Sequence, residues 1–215
     1  MLGGVASILQ RVHSAAAGSE FMAWNTLLAL VPLGLAVVLF RDGARTTRVW
    51  WAGLVAWVLF LPNAPYVLTD SVHLLDDIRT SSNMHVYFGL FPVYGAFFVI
   101  GFGSYVASLR LAHRFVVARG LGGSWYAFEL ALHALCAVGI YLGRFVRLNS
   151  WDVVAAPSTV TATLDDLARR FPVAIMGMTF VGLCVLTFVA NSVIAASSDV
   201  LRDLTNRVGR RPTSR

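Results

Sequence analysis

Apolar positions along this chain gather into five long blocks separated by short polar stretches. The blocks cover residues 21–40, 49–68, 86–109, 124–143 and 172–197. A helix crossing the hydrocarbon core of a bilayer needs about 20 mostly apolar residues. Four blocks carry no charged side chain, and the fourth carries only Glu129 and His133 as ionisable polar groups. The pattern predicts an all-α, polytopic transmembrane helix bundle of about five spans. Residues 1–20 are expected to form an interfacial N-terminal helix, because Leu2, Val5, Ile8, Leu9 and Val12 share one helical face. A frayed terminus is the plainer alternative. Residues 21–200 then form the five-span domain, and residues 201–215 an Arg-rich cytoplasmic tail.

Two prolines modify this scheme. The second block contains Leu61-Pro62-Asn63-Ala64-Pro65-Tyr66. Neither proline can donate a backbone hydrogen bond, and Pro65 biases Ala64 away from helix. The second span should therefore break between Pro62 and Pro65. At ~1.5 Å per residue, Asn63 falls about 20 Å across the membrane from Val49. Irregular backbone at that depth must be satisfied by protein or by a wet cavity, and such breaks often build binding sites. A helix that ends early would look the same. Pro92 is expected to kink the third span, and Pro172 suits the first turn of the fifth.

Composition agrees with a bilayer environment. Of the 215 residues, 57% are hydrophobic and 13% charged, against roughly 25% charged in soluble domains. The net charge of +6 comes entirely from Arg, since the chain has no Lys. These Arg residues lie between apolar blocks and in the tail, with no basic stripe interleaved with aromatics, so nucleic acid is not an expected partner. Segments 41–48 and 110–123 and the tail after Leu201 are rich in Arg, whereas 69–85 holds one Arg and three Asp. The positive-inside tendency then predicts a multi-pass cell-membrane protein with its N-terminus outside and its C-terminus in the cytoplasm. The two cysteines, Cys136 and Cys184, fall inside apolar blocks and read as small hydrophobes.

Candidate chemistry lies beside the second and fourth spans. After the proline break come Thr69, Asp70 and His73, then Asp76 and Asp77. In a helix, Asp70, His73 and Asp77 share a face. Asp70 and His73 are thus candidates for a base and its orienter, or for two ligands of a divalent metal. Two ligands are few for a metal, and an acidic interfacial loop with Asp70 as a cap explains the same residues. In the fourth span, Glu129 and His133 are i,i+4 neighbours at membrane depth, where an ionisable group is a functional candidate. A neutral His bonded to the next helix is the alternative. Gly139 and Gly143 form a small-residue ridge, and Arg144 and Arg147 follow. Two guanidinium groups on one face suit a phosphate or carboxylate, although snorkelling Arg is common at interfaces. Asn63, Tyr66, Asn149, Trp151 and Asp152 complete the candidate ligand-binding set.

These segments resemble an uncharacterised family of bacterial multi-span membrane proteins, a domain of unknown function. The likeness rests on Leu59-Phe60-Leu61-Pro62-Asn63-Ala64-Pro65-Tyr66, on Thr69-Asp70 with His73, and on Gly139-Ile140-Tyr141-Leu142-Gly143-Arg144-Phe145 with Arg147, Asn149, Ser150, Trp151 and Asp152. It extends over about residues 25–190. The resemblance implies a multi-span membrane protein and no activity, cofactor or catalytic residue.

Three functional readings follow. An outward-facing polar cavity would bind or process an anionic lipid-like ligand. Alternatively, the same residues would form a buried ion-pair network in a structural or partner-binding protein. In the third, His133 and Glu129 would line a carrier or proton pathway. The lipid bilayer is a partner in all three. Enzymatic activity, substrate, metal and protein partners stay open at this level.

Overall fold

The computed structural model describes residues 2–80, 86–147, 155, 158 and 170–209. Its helices are α1 (Leu2–Leu39), α2 (Arg48–Phe60), α3 (Asn63–Tyr66), α4 (Ser71–Thr80), α5 (Phe91–Val117), α6 (Trp125–Tyr141) and α7 (Arg170–Gly209). Tight 3₁₀ turns occupy Val67–Asp70 and Gly122–Ser124, and wide π-type turns occupy Val86–Leu90 and Leu142–Val146. There is no strand among the described residues. Five helical stretches are long and apolar enough to cross a membrane: Phe21–Leu39, Arg48–Arg79, Phe88–Val117, Gly122–Val146 and Phe171–Asn206. The five-span helical bundle expected from the apolar blocks is therefore present. Large apolar side chains such as Leu27, Val99 and Phe188 point outward, as lipid-facing positions do.

Side-chain contacts fix the direction of each span. At one end, Asn25 at the start of the first span meets Asp70 late in the second, and Tyr94 early in the third meets Asp77. Arg144 at the end of the fourth span also reaches Asp70, and Phe145 touches Phe171 at the start of the fifth. We call this the cluster end. At the other end, Trp50 bonds the Leu39 carbonyl, Arg119 bonds the Ala44 carbonyl, His113 packs on Trp125, and Arg110 bonds Asn191. This is the arginine end. Successive spans thus run antiparallel.

The arginine end is closed between α1, α2 and α5 by aromatic rings. The Phe40 ring lies 5.0 Å edge-on from Trp57 and 5.3 Å from Phe115, while Trp50 stacks on Phe115 at 5.5 Å. Such pairs add about 0.5–1.5 kcal/mol each beyond their buried area. Helix α1 packs on α2, α3 and α5, whereas α7 leans mainly on α6.

The interruption expected at Pro62 and Pro65 is present, and its backbone chemistry can be followed bond by bond. Pro65 has no N–H to give the Leu61 carbonyl, so the Ala64 N–H bonds it instead, at 3.2 Å. Ala64 is then lost to the Phe60 carbonyl, its usual helical acceptor. The Asn63 side-chain amide fills that gap at 3.0 Å. Further on, the Thr69 hydroxyl donates to the Tyr66 carbonyl at 2.8 Å. Leu61, Pro62, Tyr66, Val67 and Ser71 all keep right-handed helical dihedrals. The segment is tightened rather than unwound.

Neighbouring helices close around it. Leu61, Ala64, Pro65 and Val67 are fully buried. Gly139 of α6 faces Pro62 so closely that an added Cβ would lie 2.7 Å from the proline ring. Gly101 of α5 faces Val67, and a Cβ there would overlap both valine methyl groups. Small residues permit such approaches between membrane helices. Gly139 therefore serves the break itself. Pro92 lies where the π-type turn Val86–Leu90 passes into α5, near the start of the third span rather than at its middle. Pro172 falls in the first turn of α7 as expected.

Candidate functional site

Asp70 closes the 3₁₀ turn after the break, and only 2% of its surface is exposed. Its two carboxylate oxygens have separate partners. Asn25 of α1 donates from Nδ2 to Oδ2 at 2.8 Å. The Arg144 guanidinium approaches Oδ1 at 3.6 Å from the far end of the fourth span. An isolated carboxylate at this depth is prohibitively costly, so each contact is required by burial itself. The Arg144 side chain is 27% exposed.

Of the residues expected to share a helical face with Asp70, His73 stays within electrostatic reach of it, and Asp77 pairs with α5. His73 is exposed, with its ring 5.0 Å from the Phe21 ring. Asp77 accepts a 2.9 Å hydrogen bond from the Tyr94 hydroxyl of α5. Asp76 is exposed and pairs with Arg79 at 3.3 Å. Among the described residues no three His, Cys, Asp or Glu side chains gather as metal ligands would.

Asn63 is engaged in repairing the helix break, as described, and Tyr66 is half-buried against the apolar core. Arg147 does not continue the helical run that carries Arg144. The π-type turn over Leu142–Val146 shifts the register, and Arg147 caps it in a left-handed conformation with φ 62°, its side chain exposed. Non-glycine residues at such dihedrals carry about 1–3 kcal/mol of strain. Asn149, Trp151 and Asp152 lie outside the described residues.

Glu129 and His133 are each matched within the bundle. The Trp125 indole donates to Glu129 at 2.8 Å one helical turn away. His133 is 3% exposed, and its Nδ1 lies 2.6 Å from the Tyr105 hydroxyl of α5. The pair is the interhelical polar contact expected of a neutral histidine among membrane helices. Glu129 lines a cavity of about 320 Å3 at the arginine end, with Arg110, Arg114 and Asn191.

Two members of the cluster escaped the reading of the sequence. Asn25 sits in the first apolar block, where an amide costs free energy unless it finds a partner; that was the available signal. Tyr94 offered no comparable signal, since an amphipathic tyrosine at a span end is ordinary.

No curated protein and no solved structure matches this chain. One family model does, over residues 24–185, a range that contains the proline break, Asp70, its partners Asn25 and Arg144, and the Tyr105–His133 pair. The chain belongs to the family described as protein of unknown function DUF1361.

Proposed function

We propose that the cluster is a buried polar clasp, and that the protein is a structural or partner-binding component of the cell membrane. The observation that carries this reading is the 2% exposure of Asp70 with both oxygens engaged, one by Asn25 and one by Arg144. A general base has to reach the proton it removes, and an enclosed carboxylate is poorly placed to do so. Asn63 and Thr69 act on backbone carbonyls of the same break. Motif residues thereby acquire structural roles one by one. The Arg distribution supports the orientation: the arginine end in the cytoplasm, the cluster end and N-terminus outside.

A second reading is favoured by one feature. Arg144 is partly exposed, and Arg147 is exposed three residues further on at the same span end. Together they would hold the anionic group of a lipid-like or small ligand at the outer surface, with Asp70 orienting Arg144 from beneath. Replacement of Asp70 separates the readings. For a clasp, Asp70→Asn lowers folded yield and thermal stability in detergent, and adding Arg144→Gln restores part of the loss. An Asp70→Asn protein that folds and melts as wild type would overturn the clasp.

A further inference from the structure

Between α5 and α7 an open apolar groove of about 800 Å3 runs from Leu68 and Phe98 to the arginine end. Small-molecule sites occupy about 300–1,000 Å3. Phe102 and Val106 of α5 and Leu186 and Ala190 of α7 line the groove, and Arg110 and Arg114 lie at its end. Those same two Arg side chains also line the cavity of about 320 Å3 that contains Glu129 and Asn191. Arg110 and Arg114 therefore stand between an apolar trough and a cavity that holds an acid and an amide. Arg110 is held in place by its 3.0 Å bond to Asn191 of α7, while Arg114 is exposed. The Glu129 carboxylate opposes them but already accepts from Trp125, so two positive charges face one negative.

We propose that this composite site binds one anionic phospholipid, its phosphate on Arg110 and Arg114 and an acyl chain along the α5–α7 groove. Three properties distinguish the site from ordinary lipid-facing surface. It is concave. Its charge lies where a headgroup meets the chains: Arg110 is about 10 Å of helix from Val117, the end of α5. One of its cations is preoriented by a neighbouring helix. A monoanionic phosphodiester satisfies the excess positive charge, which a zwitterionic headgroup does not. The site is separate from the Asp70 cluster and does not depend on the clasp.

The test uses the full chain, purified in mild detergent, reloaded from mixed vesicles of phosphatidylglycerol and phosphatidylcholine, and analysed by native mass spectrometry. Wild type is expected to retain one phosphatidylglycerol in preference to phosphatidylcholine. Arg114→Gln should cut that retention by about fivefold, the effect of one Arg near an anionic headgroup. Gly103→Leu fills the groove: Gly103 lines it, and an added Cβ there meets nothing within 4 Å, so the variant folds while losing bound lipid. Arg202→Gln removes a charge from the same end outside the groove, and should retain lipid as wild type does. Equal retention of both lipids, unchanged retention in Arg114→Gln and Gly103→Leu, or an equal loss in Arg202→Gln would each overturn the proposal. So would a dimer that Gly103→Leu dissociates, since a second copy would then be the occupant.

Discussion

The two ends of this bundle solve opposite problems with the same kinds of residue. At the cluster end, a carboxylate and a guanidinium are drawn together with an amide from a third span, and Asp70 is sealed from solvent. At the arginine end, Arg110 and Arg114 line open cavities and Arg119 lies over the Phe115 ring, 3.4 Å from its centre. At the cluster end the charge of Asp70 is enclosed where spans meet; at the arginine end Arg110 and Arg119 also bridge spans, through Asn191 and the Ala44 carbonyl, while Arg114 stays exposed. Burial, rather than residue type, makes the difference.

The sharpest way to break this contrast uses two glycines of α5. Gly101 faces Val67 of the broken span, and Gly103 faces open space. Gly101→Leu should be the most damaging single change considered. Overpacking costs about 1–3 kcal/mol where neighbours can shift, and a rigid proline-bounded segment can shift little. The expected result is a large fall in folded yield and melting temperature, with Gly103→Leu close to wild type. Equal effects would mean that the break is not tightly enclosed.

The polar clasp comes next. Removing one partner of a buried ion pair costs about 3–5 kcal/mol, and partial exposure of Arg144 puts Asp70→Asn near or below the lower figure. A double-mutant cycle with Arg144→Gln, read by thermal unfolding in detergent, should give a coupling above about 1 kcal/mol for the pair, within the range for contacting residues. Asn25→Leu is the smaller perturbation. Interhelical hydrogen bonds in membranes average about 0.6 kcal/mol and reach about 1.7, and sole occupancy of one carboxylate oxygen places this bond toward the upper value.

Much of this architecture was legible in the chain. Block lengths announced five spans, and the two prolines announced the break, because apolar length and missing N–H groups are local properties. The meeting of Asp70 with Arg144 was among the pairings open from sequence; that with Asn25 was not, since it depends on how three spans pack. The register at the end of the fourth span was illegible for another reason. Helical spacing put Arg144 with Arg147 on a common face. A π-type turn and a left-handed residue fall there and end the helical register. Gly139 was legible as a place of close helix approach, and its neighbour is the Pro62 ring of the second span; which helix it would meet was not.

The smallest expected effect is also the strictest control on burial as the deciding variable. Asp76 and Arg79 form an ion pair at 3.3 Å, shorter than the 3.6 Å between Asp70 and Arg144. Both partners stand largely in solvent, with side chains 62% and 76% exposed. Distance alone would make this the stronger pair. Solvent screening and the entropy of two long side chains instead leave exposed pairs with about 0–1 kcal/mol. Arg79→Ala should therefore shift the melting temperature by less than any change at the clasp, and that difference should persist in high salt, which screens the exposed pair and hardly touches the buried one. If Arg79→Ala proved as costly as Asp70→Asn, the stability of this end would come from its summed acidic charge rather than from one enclosed carboxylate.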